Sequence, residues 1–260
     1  MFASCSQDLD IDSNQGYLSL SISSLTSTND PSDTRAAAPS DYNAKTLHVE
    51  IRNSNGVVVK STDNFGDDDV FQGNILLDAG IYTIEAHSAK WDGNGSGFDT
   101  PFYHGSTTVQ VMPKSLVKAA ITCTLANVKL TVNYDNNFSE NFKSAVTSIT
   151  SSVSNVAPLE FVMNQTTKSG YIPVGDFDVL LKATNKTGTS NSMSRSFTEV
   201  KARDHYIFNF KIAQSGNLGD GTGAGVKVEV DESTNTYKYT FEVPTKSAIT
   251  LLTRTANAWS

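Results

Sequence analysis

Residues 46–61 read TLHVEIRNSNGVVVKS, and this stretch decides the fold class. Leu47, Val49 and Ile51 occupy every second position with polar residues between them, the period of a half-buried strand. Asn53-Ser54-Asn55-Gly56 follows, and Asn-Gly adopts positive φ at little cost, so the chain turns back here. Val57, Val58 and Val59 then form a return strand. Strand, tight turn and strand in immediate succession place the chain among β proteins.

The same alternation runs outward in both directions. Upstream, Leu18, Leu20 and Ile22 alternate with serines, and a turn-rich loop at 26–45 separates them from Leu47. Downstream come Ile75 and Leu77, then Tyr82, Ile84 and Ala86, then Val109 and Val111, then Val117 to Leu125. A second series starts at Val128, Leu130, Val132 and Tyr134, continues through Phe161, Met163 and Phe177–Ala183, and closes at Tyr206, Phe208, Phe210 and Ile212. Within it, FSENFKSAVTSI (138–149) spaces Phe138, Phe142 and Ala145 as a short helix would. After Ala213 the run SGNLGDGTGAG reads as a linker. Val226, Val228 and Val230 alternate toward a DESTNT turn, and Tyr237, Tyr239, Phe241 and Val243 alternate back.

The two series look like a diverged duplication. Ala79-Gly80-Ile81-Tyr82-Thr83-Ile84 and Val174-Gly175-Asp176-Phe177-Asp178-Val179 share an apolar residue, glycine, an aromatic and a β-branched residue at matching places. TVQVMPKSLVKAAI (108–121) mirrors FTEVKARDHYIFNF (197–210). The offset, about 90 to 95 residues, is the size of one small sandwich. The expected organisation is a tether at 1–15, a first β-sandwich at 16–126, a second at 127–213, and a linker with an appended hairpin at 214–260. The apolar close at Trp259 raises the expectation of a further domain beyond it.

Composition narrows the function. The 260 residues are 38% hydrophobic, enough to fill cores, and the net charge of −7 disfavours nucleic acid and anionic lipid, which need clustered Lys and Arg. No apolar run reaches the roughly 20 residues of a membrane helix. The two cysteines differ in setting. Cys123 shares a strand face with Ile121 and Leu125 and reads as a small buried apolar side chain. Cys5 follows Phe2-Ala3-Ser4, a small-residue pair like the tail of a lipoprotein signal, and precedes the polar, acidic stretch 6–15. A lipid on Cys5 would make that stretch a tether and the membrane contact a lipid anchor only.

Catalytic and metal chemistry find little support. His48, His87, His104 and His205 share no helix-face spacing, and no HExxH, GxSxG, phosphate loop or CxxC is present. No cofactor is expected. Asp92-Gly93-Asn94-Gly95-Ser96-Gly97 begins like a calcium loop, but the twelfth position is Tyr103 where a bidentate Glu is needed, so no metal is expected either. Asp67-Asp68-Asp69 reads as a solvated acidic turn. The loop from Trp91 to Gly105 gathers Trp91, Phe98, Phe102, Tyr103 and His104. The four aromatics are candidates for contact with a ligand, by stacking on sugar or filling a partner's pocket; the alternative is that they plug the open end of the sandwich.

The string GYLSLSIS, TLHVEIRNSNGVVVKS, LLDAGIYTIEAHS, FYHGSTTVQV, TLANVKLTVNY, ATNKTG and VKARDHYIFNF resembles a fimbrillin-like surface lipoprotein family of Bacteroidales, similar to the subunits of type V pili. The resemblance covers roughly residues 1–213. It implies an all-β chain of two tandem transthyretin-like, Greek-key β-sandwiches, lipidated at Cys5 and held at the surface of the outer membrane. Asp8, Asp10 and Asp12 match the acidic signal that sends such lipoproteins to the surface. Arg35 lies where fimbrillins are cut by an arginine-specific protease, which would free Tyr17–Leu25 and open a groove for a strand of a neighbouring subunit. The hairpin at 226–243 is a candidate donor. The expected role is adhesion or pilus structure without catalysis. The alternative is a glycan-capturing lipoprotein that serves an outer-membrane importer.

Overall fold

The structure, a computed structural model, describes residues 12–24, 46–88, 95–166, 168–212, 226–231 and 236–243. They divide into two compact units. The first takes 12–24, 46–88 and 103–124; the second takes 95–102 and the described residues from 125 onward.

The first unit contains β1 (Gln15–Ser24), β2 (Leu47–Asn53), β3 (Val58–Thr62), β4 (Asn74–Asp78), β5 (Gly80–Ser88), β7 (Tyr103–Val111) and β8 (Leu116–Leu125), in the order β3-β2-β5-β7-β8-β1-β4. A short segment, β6 (Gly97–Phe98), falls to the second unit. β2 and β5 pair antiparallel along their whole length, as do β5 and β7. β1 lies between β8, to which it is parallel, and β4, to which it is antiparallel. The alternating residues do what their period demands. Val49, Ile51, Ile84 and Ala86 are fully buried from one ladder, and Leu18, Ile75, Ile121 and Cys123 from the other. The two faces meet where the Cys123 Sγ lies 3.8 Å from the Ala86 carbonyl oxygen. Each such large side chain contributes about 1.5–3 kcal/mol on leaving water.

The three aspartates at 67–69 serve as more than a solvated turn. The Asp68 side chain accepts from the backbone N–H groups of Val70 and Phe71 and so caps α1 (Asp69–Gln72). That turn, with a 3-10 turn at Phe65–Asp67, buries Phe65 and Phe71. The return strand after Gly56 starts at Val58 and is an exposed edge, so Val57, Val58 and Val59 all face solvent.

The second unit holds β9 (Val128–Tyr134), α2 (Asn136–Asn141), β10 (Phe142–Ser151), β11 (Leu159–Val162), β12 (Gly170–Ile172), β13 (Phe177–Asn185), β14 (Ser190–Phe197), β15 (His205–Ile212), β16 (Val226–Asp231) and β17 (Thr236–Val243). One sheet runs β11-β10-β13-β14 and the other β16-β17-β15-β9-β12-β6. The expected helix at 138–149 stops at Asn141. From Phe142 the burial alternates through Ala145, Thr147, Ile149 and Ser151, and these residues pair with β13. The helix is one short turn capped by Asp135, whose carboxylate accepts from Phe138 N–H at 2.6 Å. The β-branched run beyond it favours the strand.

Between the sheets lies a core rich in aromatic rings. Phe138 and Phe142 stack at 4.2 Å, Phe177 and Phe197 at 4.9 Å, and Phe210 and Phe241 at 5.1 Å. β17 pairs in parallel with β15 and buries Tyr239, Phe241 and Val243, so the C-terminal hairpin is seated in this unit's own sheet.

The strand order repeats. Reading β11 for β3, β10 for β2, β13 for β5 and β14 for β7, then β15 for β8, β9 for β1 and β12 for β4, matches the two runs of strands, with one difference: β7 and β8 are neighbours in a single sheet, whereas β14 and β15 lie in separate sheets. In both copies the first strand is parallel to the last of the shared set. The second unit adds β16, β17 and β6.

Candidate functional site

The residues singled out from the sequence separate. Cys5, Arg35 and Trp91 lie outside the described residues. Phe102 and Tyr103 are buried, with 9% and 6% of their surface exposed. A Cβ on Gly95 would run into the Phe102 ring, so that backbone covers it. The Phe102 N–H points to the Asn127 side-chain oxygen at 3.5 Å, and the Phe102 carbonyl accepts from Ala126 N–H. Tyr103 N–H donates to the Ser88 hydroxyl. Packing therefore occupies Phe102 and Tyr103, which lie buried where the sequence offered them as ligand contacts. Phe98 differs. It is half-buried and borders a cleft in the second unit.

That cleft encloses about 680 Å³. Its floor is aromatic. Phe98 meets Phe161 edge-on at 5.0 Å, and Tyr134 stacks on Phe210 at 5.5 Å. The Tyr134 hydroxyl donates to the Phe161 carbonyl at 3.0 Å and lies 2.7 Å from the Thr147 hydroxyl. Burial pushes that phenol up to about 12, so it stays protonated and holds this bond. The walls are polar and exposed: Asn136 from α2, Glu160 from β11, and Asn164, Gln165 and Lys168 from the turn that follows. Asn164 sits at φ 66°, a left-handed conformation asparagine tolerates, and Gln165 N–H closes the turn on the Val162 carbonyl. β6 is pinned by Gly170 of β12 and by the Asp99 N–H, which donates to the Ser169 carbonyl. Gly170 is required here, because a Cβ would stand 2.7 Å from the Phe161 ring.

A second grouping escaped the sequence. Pairing places His48 opposite His87, and His87 opposite His104, on the outer face of the first unit. The rings of His48 and His87 are 4.7 Å apart. The His48 Nδ1 lies 2.6 Å from an Asp63 carboxylate oxygen, and its Nε2 lies 3.2 Å from Glu50. Glu50 also pairs with Arg52. Burial alone would raise the Glu50 carboxyl; the bonds from His48 and Arg52 outweigh it and hold the group below its ordinary value. Among the described residues, no three His, Cys, Asp or Glu side chains are posed to hold a metal ion. The Cys123 thiol is pushed up to about 11 by burial and sits in the core as an apolar group. Among the described residues, no helix is long and apolar enough to cross a membrane.

Comparison with known proteins adds the following. Residues 14–245 match a family described as a domain of unknown function, DUF4493. No curated protein matches significantly. Among solved structures, a candidate cell-adhesion protein from Bacteroides thetaiotaomicron is 13% identical with a TM-score of 0.46, covering 79% of this chain and 96% of that one. Another, from Bacteroides ovatus, is 10% identical with a TM-score of 0.43, covering 74% and 90%. The fimbrial anchor protein Mfa2 from Porphyromonas gingivalis is 14% identical with a TM-score of 0.35, covering 67% and 80%.

Proposed function

The chain belongs to the DUF4493 family, and we propose that it is a surface-anchored structural or adhesion protein, related to the fimbrillins, that works by strand-mediated assembly or binding and not by catalysis. In this reading each unit is a transthyretin-like sandwich, Cys5 carries the lipid that holds the chain on the outer membrane, and Arg35 is the processing point.

One observation carries the proposal. β1 is the first strand among the described residues, yet it is inserted between β8 and β4, with Leu18 fully buried. Taking β1 away would break two ladders at once and uncover the Ile75, Ala119 and Ile121 side of the core. Such a groove presents unpaired backbone and alternate apolar pockets, which is what an incoming strand reads. The partner would be a neighbouring subunit. β17 is a donor only if it first leaves β15, which makes it a costly one.

Treatment of the purified chain with an arginine-specific protease tests this. The expected result is cleavage after Arg35, followed by oligomers in light scattering, with an Arg35→Ala chain remaining monomeric. A cleaved chain that stays monomeric would sink strand exchange.

The cleft beside Phe98 favours a second reading, a glycan-binding surface lipoprotein serving an outer-membrane importer. It has the polar walls and ring floor that a saccharide site needs.

A further inference from the structure

We propose that the cleft bordered by Phe98, Asn136, Glu160, Asn164, Gln165 and Lys168 binds a neutral saccharide chain, with the Phe98 ring as its stacking platform. The proposal rests on the glycan-binding reading and gives it a place and a ligand class.

Much of the cleft is built outside the paired strands that the two units share. β6 has no counterpart in the first unit's strand order, and α2 and the turn after β11 are connections between strands. The common fold does not require these parts, and a site grafted on a fold is where specific binding resides.

The wall chemistry selects the ligand. Asn136, Asn164 and Gln165 each offer an amide donor and acceptor, and Glu160 offers acceptors. Vicinal hydroxyls donate and accept at once, so they satisfy such walls in full. Glu160 and Lys168 carry opposite charges, so the wall has no net charge to attract an anionic ligand.

The floor presents rings: the Phe161 carbonyl on β11 already accepts from the Tyr134 hydroxyl. What remains open is the half-buried Phe98 ring, held by Phe161 beneath it. The apolar face of a pyranose lies flat on such a ring. The volume of about 680 Å³ falls within the range of small-ligand sites and accommodates a short oligosaccharide.

The test uses the full chain on an array of neutral and acidic glycans, with affinities of any hit measured by calorimetry. The variants are Phe98→Ala, Glu160→Gln, Asn164→Gly and Trp91→Ala, each checked for an unchanged melting temperature. The expected result is binding to a neutral glycan, weakened about tenfold by Phe98→Ala and about threefold by Glu160→Gln or Asn164→Gly. Asn164→Gly keeps the left-handed backbone and so isolates the amide. If Phe98→Ala unfolds the chain, the two exposed polar variants decide alone. Binding that survives the cleft variants, or is lost only in Trp91→Ala, overturns the cleft and leaves glycan binding standing. Binding to acidic glycans alone overturns the neutral class. Binding to nothing overturns the cleft together with the reading beneath it.

Discussion

The two units share a strand order and differ in what fills them. The first is largely aliphatic, packed from Leu18, Leu47, Val49, Ile51, Ile75, Ile84 and Ile121. The second stacks ring on ring, with Phe197, Tyr206, Phe208 and Tyr239 all in mutual contact. The contrast shows that alternation and turn placement set the topology, while side-chain volume can be redistributed within it. It also separates vulnerabilities. The first unit depends on β1, held between β8 and the edge strand β4, and the second on a ring lattice with few rotatable bonds.

Removing one piece of each core probes this contrast most strongly. Phe208 is fully buried and contacts Phe177, Phe197, Tyr206, Tyr239 and Phe241, so Phe208→Ala should cost about 3–5 kcal/mol in urea unfolding. Leu18→Ala, on β1, should cost about 2–5 kcal/mol. Loss of near-ultraviolet dichroism with Phe208→Ala, but its retention with Leu18→Ala, would place the ring lattice in the second unit alone. Equal loss in both would break the distinction.

Gly105 gives a smaller effect. A Cβ there would stand 2.5 Å from the Thr122 carbonyl oxygen and 2.9 Å from the Ile121 side chain. Gly105→Ala should therefore cost about 1–3 kcal/mol by overpacking the first unit. Gly56→Ala meets no atom within 4 Å and is strained only by its φ of 76°, so it should cost about 1 kcal/mol. An equal cost at both sites, from thermal melts, would mean that the two ladders of the first unit do not meet closely at Gly105.

The smallest effect is on pH dependence, and the units should respond with opposite signs. Asp204 is raised, chiefly by burial, against the bonds from Lys201 N–H and Tyr206 and the Lys201 charge. Its contribution is present below the ordinary carboxylate value and is lost as pH rises through the raised one. Glu50 is lowered, so its contribution is present above its ordinary value and is lost as pH falls. Glu50 is partly exposed, so solvent screening keeps its effect below about 1 kcal/mol. Between about pH 3 and pH 7, wild type should gain on Asp204→Asn as pH falls and lose ground to Glu50→Gln. Differences of the same sign would refute the assignment.

Much of this fold was legible in the residues. The alternation at 46–61 and 117–125, the Asn-Gly turn and the burial of Cys123 all follow from period two and turn chemistry. The resemblance of 79–84 to 174–179 pointed to a repeat, and the strand orders repeat. The helix stops at Asn141 although Phe138, Phe142 and Ala145 keep helical spacing, because pairing with β13 takes Phe142 onward, and the three-residue step from Phe142 to Ala145 is absorbed by a register shift between Phe142 and Ser144 that no local pattern announces. For the site, Phe98 was visible as an aromatic in a glycine-rich loop, but nothing local separates it from Phe102 and Tyr103, which packing consumes.

From order along the chain alone came the all-β class, the positions of the turns and the acidic, weakly charged surface, because backbone preference and alternation are local. Tertiary pairing alone decided that β1 fills a slot between two later strands, that three histidines far apart in sequence stand side by side, and that Phe98 stands beside an open cleft. Those outcomes depend on which distant strands meet and in what register, a free energy summed over many contacts that no short stretch of residues contains.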